Sequence, residues 1–193
     1  VVVDENDPGF KNPTKPIGPF YSVAQAKKRS YTLVKTVKGY RRVVASPRPV
    51  SIVARREIKK LIDMDFIVIC CGGGGIPVIR KGRKFRGVEA VIDKDRASAG
   101  LAREIKADIF IIASDVKGAG INWGKQDQAF LRKIPMAELQ DHLEQDQFPA
   151  GSMRPKVESI MDFCADTSQR GIICHLKDIE KAVAGKAGTE VIK

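Results

Sequence analysis

Residues 107–125 read ADIFIIASDVKGAGINWGK, an apolar run that leads into a loop rich in glycine. Its first part, ADIFIIA at 107–113, is an apolar run typical of a strand in a parallel sheet covered on both faces. The runs FIVICC at 66–71 and GIICHL at 171–176 have the same texture. The three runs therefore predict buried strands, and they decide the fold class.

Segments with helical periodicity lie between these runs. We predict helices over 51–63, 95–106, 135–146 and 153–168, each with apolar residues along one face. Residues 76–92 predict short strands around a turn, and TEVIK at 189–193 predicts a last strand. Alternating strands and helices predict an α/β fold with a mainly parallel sheet.

The composition narrows the class of protein. With 43% hydrophobic and 30% charged residues, the 193-residue chain is expected to be globular. Its longest apolar runs are too short to span a bilayer, and the chain opens without a secretion signal. We therefore expect no membrane partner.

The formal net charge of +11 is unevenly distributed. Residues 1–62 carry 14 Lys and Arg against four acidic residues, with Phe20, Tyr21, Tyr31 and Tyr40 among them. Such a stretch could bind nucleic acid, attract a smaller polyanion such as a nucleotide, or form a solvated basic face. No nucleic-acid-binding motif accompanies it, and we expect no nucleic-acid partner.

The four cysteines are Cys70, Cys71, Cys164 and Cys174, and no two of them have CxxC spacing. Zinc needs converging ligands, and His142 and His175 are not spaced to supply them. We predict small, buried, reduced thiols and no metal ligands in the chain.

Glycines, lysines and helix starts follow the predicted strands, in GGGGIPV (72–78), DKDRASAG (93–100), SDVKGAGINWGK (114–125) and GSMRPK (151–156). In open parallel sheets, ligands bind at the carboxyl ends of the strands, where these loops are expected to lie. Glycines, lysines and helix N-termini suit a polyphosphate. The P-loop pattern is absent, because Ala119 replaces its first glycine and Gln126 its Ser or Thr. On its own, the glycine run at 72–75 could equally be a tight turn.

Five motifs, in this order, closely resemble the carbamate kinases of the amino acid kinase family: NPTKPIGPFY, GGGGIPV, GVEAVIDKD, SDVKGAGINWGK and GSMRPK. The resemblance covers essentially the whole chain. It implies a three-layer αβα sandwich with a mainly parallel sheet and a small protruding lid subdomain. The family's N-terminal third, with its GGNA-type glycine loop, is missing, so the sheet is expected to be incomplete. The implied division is a strand remnant at 1–10, a lid at 11–47 and a nucleotide-binding α/β core at 48–193.

The resemblance implies reversible phosphoryl transfer between ATP and carbamate, giving ADP and carbamoyl phosphate, with Mg²⁺ accompanying the nucleotide. It further implies ATP synthesis in arginine breakdown, a cytoplasmic location and a homodimer when the protein is complete. We expect the 193-residue chain alone to be inactive. Two alternatives stay open: another phosphotransferase of the family, and a non-catalytic basic module that binds nucleotide or nucleic acid.

The resemblance also implies roles for individual residues. Lys15 would be the lid lysine, Lys94 would contact the phosphoryl group, and Lys156 would bridge the β- and γ-phosphates. Asp95 would orient the lysines, although it could also be a helix N-cap.

The other implied contacts are with the nucleotide and with the transferring group. Ser114, Asp115 and Gly118 would lie near the ribose and phosphates, and Asn122, Trp123, Gly124 and Met153 near the adenine. Trp123 and Met153 could instead be ordinary packing residues. Gly72, Gly73, Gly74 and Gly75 would let the backbone approach carbamate and the phosphoryl group.

Overall fold

The computed structural model describes residues 1–192, so Lys193, the last residue of the predicted core, lies outside the described range. The chain divides into two compact units. Unit 1 comprises Val1–Val53 and Ile69–Ala97, and unit 2 comprises Ala54–Val68 and Ser98–Lys193. Within residues 1–192, no helix combines the length and the apolar character that crossing a membrane requires.

Unit 1 consists mainly of short strands. In chain order these are β1 (Val2–Val3), β2 (Lys15–Tyr21), β3 (Leu33–Thr36), β4 (Gly39–Val44), β5 (Pro49–Ser51), β6 (Val78–Lys81) and β7 (Lys84–Gly87), with α1 (Val23–Ala26) after β2. One sheet has the order β5-β1-β6-β7, in which β1 is antiparallel to β5 and parallel to β6. Val3, Ile79, Ile92 and Ala97 form the buried cluster of this unit.

A second, antiparallel sheet in unit 1 has the order β2-β4-β3. It lies inside the predicted lid of residues 11–47. Arginine side chains stack on its aromatic rings: the Arg29 guanidinium lies 4.9 Å from the Tyr21 ring centroid, and that of Arg42 lies 5.1 Å from the Tyr31 centroid. Part of the basic surface therefore covers aromatic rings, which contributes to packing as well as to charge.

Unit 2 contains the longer helices and the larger core. Its helices are α2 (Arg55–Asp63), α3 (Lys94–Ile105, of which the first four residues belong to unit 1), α4 (Met136–Glu144), α5 (Met153–Thr167) and α6 (Ile179–Val183). Its strands are β8 (Ile109–Ser114), β9 (Gly120–Ile121), β10 (Ala129–Phe130), β11 (Lys133–Pro135), β12 (Arg170–His175) and β13 (Thr189–Ile192). The main sheet has the order β11-β13-β12-β8.

The alternation of side chains along this sheet produces three layers. Phe110 and Ile112 of β8 pack into the cluster that contains α4 and α5, whereas Ile109 and Ile111 pack against the cluster of Ala182 in α6. Strands β8 and β12 are parallel, β13 and β11 are parallel, and β12 and β13 are antiparallel. The α/β class and the helix–sheet–helix layering are thus confirmed, with a mixed sheet.

The approach of α5 to the sheet depends on one glycine. An added Cβ at Gly171 of β12 would lie 2.5 Å from Cys164 Sγ and 2.7 Å from a methyl group of Ile160. Phe163 of α5 is completely buried, and its ring centroid is 5.4 Å from that of Phe110. Without a side chain at position 171, α5 packs directly on the backbone of β12.

Most element predictions are confirmed to within a few residues, with two corrections. The helix predicted over 51–63 begins at Arg55, because Pro49–Ser51 pairs with β1 as a strand. The buried strand predicted over 66–71 is wrong: those residues form no strand, and Ile67 and Ile69 are each 96% exposed. An apolar run becomes a buried strand only when other strands and helices pair with it and cover it.

Candidate nucleotide and phosphoryl-transfer site

A pocket of about 250 Å³ lies in unit 2 where β8 ends and α5 begins. Its lining includes the predicted residues Ser114, Asp115, Trp123, Met153 and Lys156. The first turn of α5 carries the positive end of the helix dipole, and Met153 and Lys156 belong to that turn. The pocket thus offers apolar walls and a cation near a helix N-terminus, a combination that suits a nucleotide.

The pocket also has lining residues that were not predicted: Val116, Gly120, Pro149 and Ser152. Gly120 is buried, and an added Cβ there would lie 3.1 Å from the Trp123 ring. The indole also meets Phe130 edge-on, with ring centroids 6.0 Å apart and planes at 81°. Trp123 stays 52% exposed, so it forms a wall of the pocket and is not a core residue.

Gly118, Asn122 and Gly124 belong to the same loop but do not line the pocket. Gly118 packs on Thr189 of β13, where an added Cβ would lie 2.5 Å from Thr189 Oγ1. The Thr189 hydroxyl accepts a hydrogen bond from Ala119 N at 2.9 Å and donates one to Leu131 O at 2.5 Å. Gly118 is therefore a packing position under the loop, and its predicted contact with ribose and phosphates stays a prediction.

One of the predicted lysines of unit 1, Lys15, pairs with a carboxylate that was not predicted, that of Asp93. Lys15 Nζ donates to Asp93 Oδ2 at 2.5 Å, and Asp93 is 7% exposed. Burial alone raises the pKa of Asp93. The hydrogen bond and charge of Lys15, with the N–H groups of Arg96 and Asp95, outweigh burial and hold this pKa below its ordinary value. The Asp93 carboxylate is therefore charged at neutral pH.

Asp93 is also the N-cap of α3. Its Oδ1 accepts from Asp95 N at 3.0 Å and from Arg96 N at 3.3 Å, so the capping role considered for Asp95 belongs to Asp93. Lys94 and Asp95 are the first two residues of α3. An Asp immediately before the predicted helix was a visible signal for this cap, but the ion pair with Lys15 spans 78 positions and had none.

The glycine run divides into two halves. Gly72 and Gly73 have open space where a Cβ would be, whereas Gly74 and Gly75 have φ values of +80° and +103°. Gly74 is buried, its N–H donates to Cys71 O at 2.9 Å, and an added Cβ would overlap the Ile92 carbonyl. Gly74 and Gly75 are therefore required by a tight turn, while Gly72 and Gly73 leave the backbone accessible.

The prediction that all four cysteines are buried is confirmed for two of them and wrong for the other two. Cys164 and Cys174 are buried, but Cys71 is half-buried and Cys70 is exposed. Burial raises the pKa of the Cys164 thiol to about 11 and also raises that of Cys174. Within the part of the chain that the structure describes, no group of three or more His, Cys, Asp or Glu side chains is arranged to hold a metal ion.

The fold and the pocket define an α/β protein with a candidate ligand site at a helix N-terminus. Residues 15–175 match the family model described as "Amino acid kinase family". The chain belongs to the amino acid kinase family.

Two relatives and one solved structure define the similarity further. The chain is 46% identical to a carbamate kinase of Clostridium perfringens, a match of all of this chain to 63% of the relative. It is 45% identical to a carbamate kinase-like protein of Escherichia coli, a match of 99% of this chain to 63% of the relative. The Giardia lamblia carbamate kinase bound to AMP-PNP has a TM-score of 0.88 at 41% identity, covering all of this chain and 63% of that one. The chain thus spans about 63% of the length of these relatives.

Proposed function

We propose that the complete protein is a carbamate kinase, which transfers the γ-phosphoryl group of Mg·ATP reversibly to carbamate. The observation that carries the proposal is the pocket in unit 2, where Trp123 and Met153 form walls and Lys156 extends from the first turn of α5. The relatives named carbamate kinase, and the AMP-PNP complex of one of them, support it.

In the transfer, a carbamate oxygen attacks the γ-phosphorus, and the bond from this phosphorus to the β,γ-bridging oxygen breaks. The electron pair of that bond leaves with ADP. Charge accumulates on the phosphoryl oxygens, so fixed cations supply most of the stabilisation. We assign this role to Lys156, Lys94 and Lys15, and Lys15 is held in one place by the buried Asp93 carboxylate.

The nucleotide supplies the Mg²⁺ as part of the substrate, because Mg²⁺ in phosphotransferases is held largely by phosphate oxygens. Ser114 and Asp115 lie at the end of β8 beside the pocket, where we assign them to the ribose and phosphates. Trp123 and Met153, which line the pocket, are assigned to the adenine, and the accessible amides of Gly72 and Gly73 to carbamate and the transferring group.

We further propose that the physiological direction is ATP synthesis from carbamoyl phosphate in the cytoplasm, at the end of arginine breakdown, by a homodimer. The 193-residue chain by itself is expected to bind nucleotide but not to turn over. The remaining third of the relatives' length would supply the rest of the sheet and of the carbamate contacts.

The test is ATP formation from ADP, Mg²⁺ and carbamoyl phosphate by the full-length protein and by the 193-residue chain. We expect activity in the full-length protein and a loss of about 10²–10³ in kcat for Lys156→Ala, as for removal of one charge-stabilising group. Lys133→Ala, which removes an exposed lysine outside the pocket, is the matched control. A full-length protein that forms no ATP, or that prefers a different acceptor in competition with carbamate, would refute the proposal.

A further inference from the structure

The only tryptophan of the chain lies on a loop held from both sides by glutamine side chains. On one side, Asn122 N donates to Gln147 Oε1 at 3.0 Å. On the other, Gly124 N donates to Gln128 Oε1 at 2.9 Å. The backbone N–H groups that flank Trp123 therefore both point at amide oxygens, and neither glutamine lines the pocket.

The loop around Trp123 also has a distinctive backbone. Asn122 has a φ of +53° and Gly124 of +77°, so the residues on both sides of Trp123 are in the left-handed region. Residues with a side chain seldom adopt this region, and Asn is among those that do so most readily. Asn122 also bonds through its side chain, with Nδ2 donating to Asp127 Oδ2 at 2.7 Å.

Gln147 is itself fixed by the core of unit 2. The next residue, Phe148, is 2% exposed and meets His142 of α4 edge-on. Gln147 N donates to His142 O at 3.1 Å, and Asp146 pairs with Arg154 of α5 at 2.6 Å. The turn after α4 is thus bonded to both α4 and α5. These bonds fix the position from which the Gln147 side chain extends to Asn122.

We propose that Gln147 and Gln128 are positioning residues that hold the Trp123 indole in place for the base of a bound nucleotide. This inference rests on the proposed function and extends it to residues that do not touch the ligand. A flat ring fixed in advance loses less conformational entropy on stacking, so the two glutamines favour binding without contacting nucleotide. Their effect is confined to ligands that carry a base.

The experiment uses the 193-residue chain and two ligands, Mg·ADP and Mg·tripolyphosphate, with Kd measured by calorimetry. We expect Gln147→Leu to weaken ADP binding about five- to tenfold, as for one lost hydrogen bond, and to leave tripolyphosphate within about twofold. In the unliganded chain, acrylamide should quench Trp123 fluorescence more strongly in this variant. Gln147→Glu, which retains an acceptor oxygen, should show the same acrylamide quenching as the wild-type chain.

Gln140→Leu is the matched control, since Gln140 is an exposed residue of α4 whose amide bonds to Glu144. Gln128→Leu provides a second variant should Gln147→Leu not fold, and far-UV circular dichroism monitors folding. Unchanged ADP affinity and quenching in a folded Gln147→Leu variant would overturn the inference. So would an equal loss of ADP and tripolyphosphate binding, because the effect would then not concern the base.

Failure of the proposed function has a different result. If the wild-type chain binds tripolyphosphate but not ADP, the assignment of the pocket to a nucleotide is wrong, and the role of the glutamines falls with it. If the wild-type chain binds ADP and only the variants behave unexpectedly, the proposed function survives and the positioning role alone is refuted.

Discussion

The two units of this chain differ in charge and in how they are packed. Unit 1 contains 17 Lys and Arg against six acidic residues, whereas unit 2 contains 17 of each kind. All of the net positive charge therefore lies in unit 1. Unit 2 has the larger apolar cluster and the candidate nucleotide pocket. The comparison indicates that apolar packing is the main source of stability in unit 2. In unit 1, ion pairs and local turns contribute a larger part of the stability.

The largest expected effect compares a buried phenylalanine of unit 2 with an exposed one of unit 1. Phe163→Ala should lower the free energy of unfolding by about 3–5 kcal/mol, because it leaves a cavity beside Phe110. Phe85 of β7 is 49% exposed, and Phe85→Ala should change the value by less than about 0.5 kcal/mol. Urea titration measures both, and similar losses would remove this distinction between the units.

The cysteines of the two units should differ in their rates of chemical modification. At pH 8, we expect iodoacetamide to modify Cys70 of unit 1 at least about two orders of magnitude faster than Cys164 of unit 2. Burial limits access to Cys164 and raises its pKa to about 11, so little of it is thiolate at this pH. Peptide mass spectrometry after timed labelling gives both rates, and rapid labelling of Cys164 in folded protein would contradict the packing of α5.

An intermediate effect is expected from the ion pair of unit 1. Asp93→Asn should lower the free energy of unfolding by about 1–3 kcal/mol at pH 7, because Lys15 loses its charged partner. The pKa of Asp93 is lowered, so its contribution is complete above the ordinary Asp value of about 3.9 and is lost as the pH falls through the lowered value. The difference between wild type and variant should therefore shrink in acid.

An exposed ion pair of unit 2 is the control for this measurement. Asp63 pairs with Lys59 one helical turn away, and Asp63→Asn should cost less than about 0.5 kcal/mol. Denaturant titrations at pH 7 and at acidic pH compare the two variants. A difference between wild type and Asp93→Asn that does not depend on pH would show that the carboxylate charge is not involved.

The smallest effect is expected at the apolar run between α2 and the glycine turn. Ile69 is 96% exposed, so Ile69→Ser should alter the free energy of unfolding by less than about 0.5 kcal/mol. Binding of the dye ANS should decrease, because the substitution removes accessible apolar surface. A loss of 2 kcal/mol or more would mean that this run is buried, as its sequence predicted.

The sequence predicted best what depends on neighbouring residues. The strands containing Phe110 and Ile173 and the helix containing Phe163 have local apolar patterns, and the structure confirms them. FIVICC has an equally strong pattern but no pairing strand, because a pattern specifies which face is apolar and not whether another strand is present to cover it.

The pocket was predictable in part because its motifs resemble those of a known family. The motifs identified Trp123, Met153 and Lys156 as residues near a ligand, and the structure brings all three to one pocket. The supports of Lys15 and of the Trp123 loop were not predictable, because Asp93 bonds to Lys15 across 78 positions and Gln147 bonds to Asn122 across 25. A hydrogen bond between distant positions leaves no periodic trace in the sequence.

The hydrogen bond between Ala119 and Thr189 has a consequence for vectorial synthesis on the ribosome. The loop beside the candidate nucleotide pocket emerges 70 residues before the threonine that accepts its hydrogen bond. At translation rates of about 5–20 residues per second, Thr189 is therefore synthesised roughly 4–14 seconds after Ala119. During that interval β13 cannot pair with β11 or β12, so a nascent chain should complete the candidate nucleotide pocket only as the last of these strands leaves the exit tunnel.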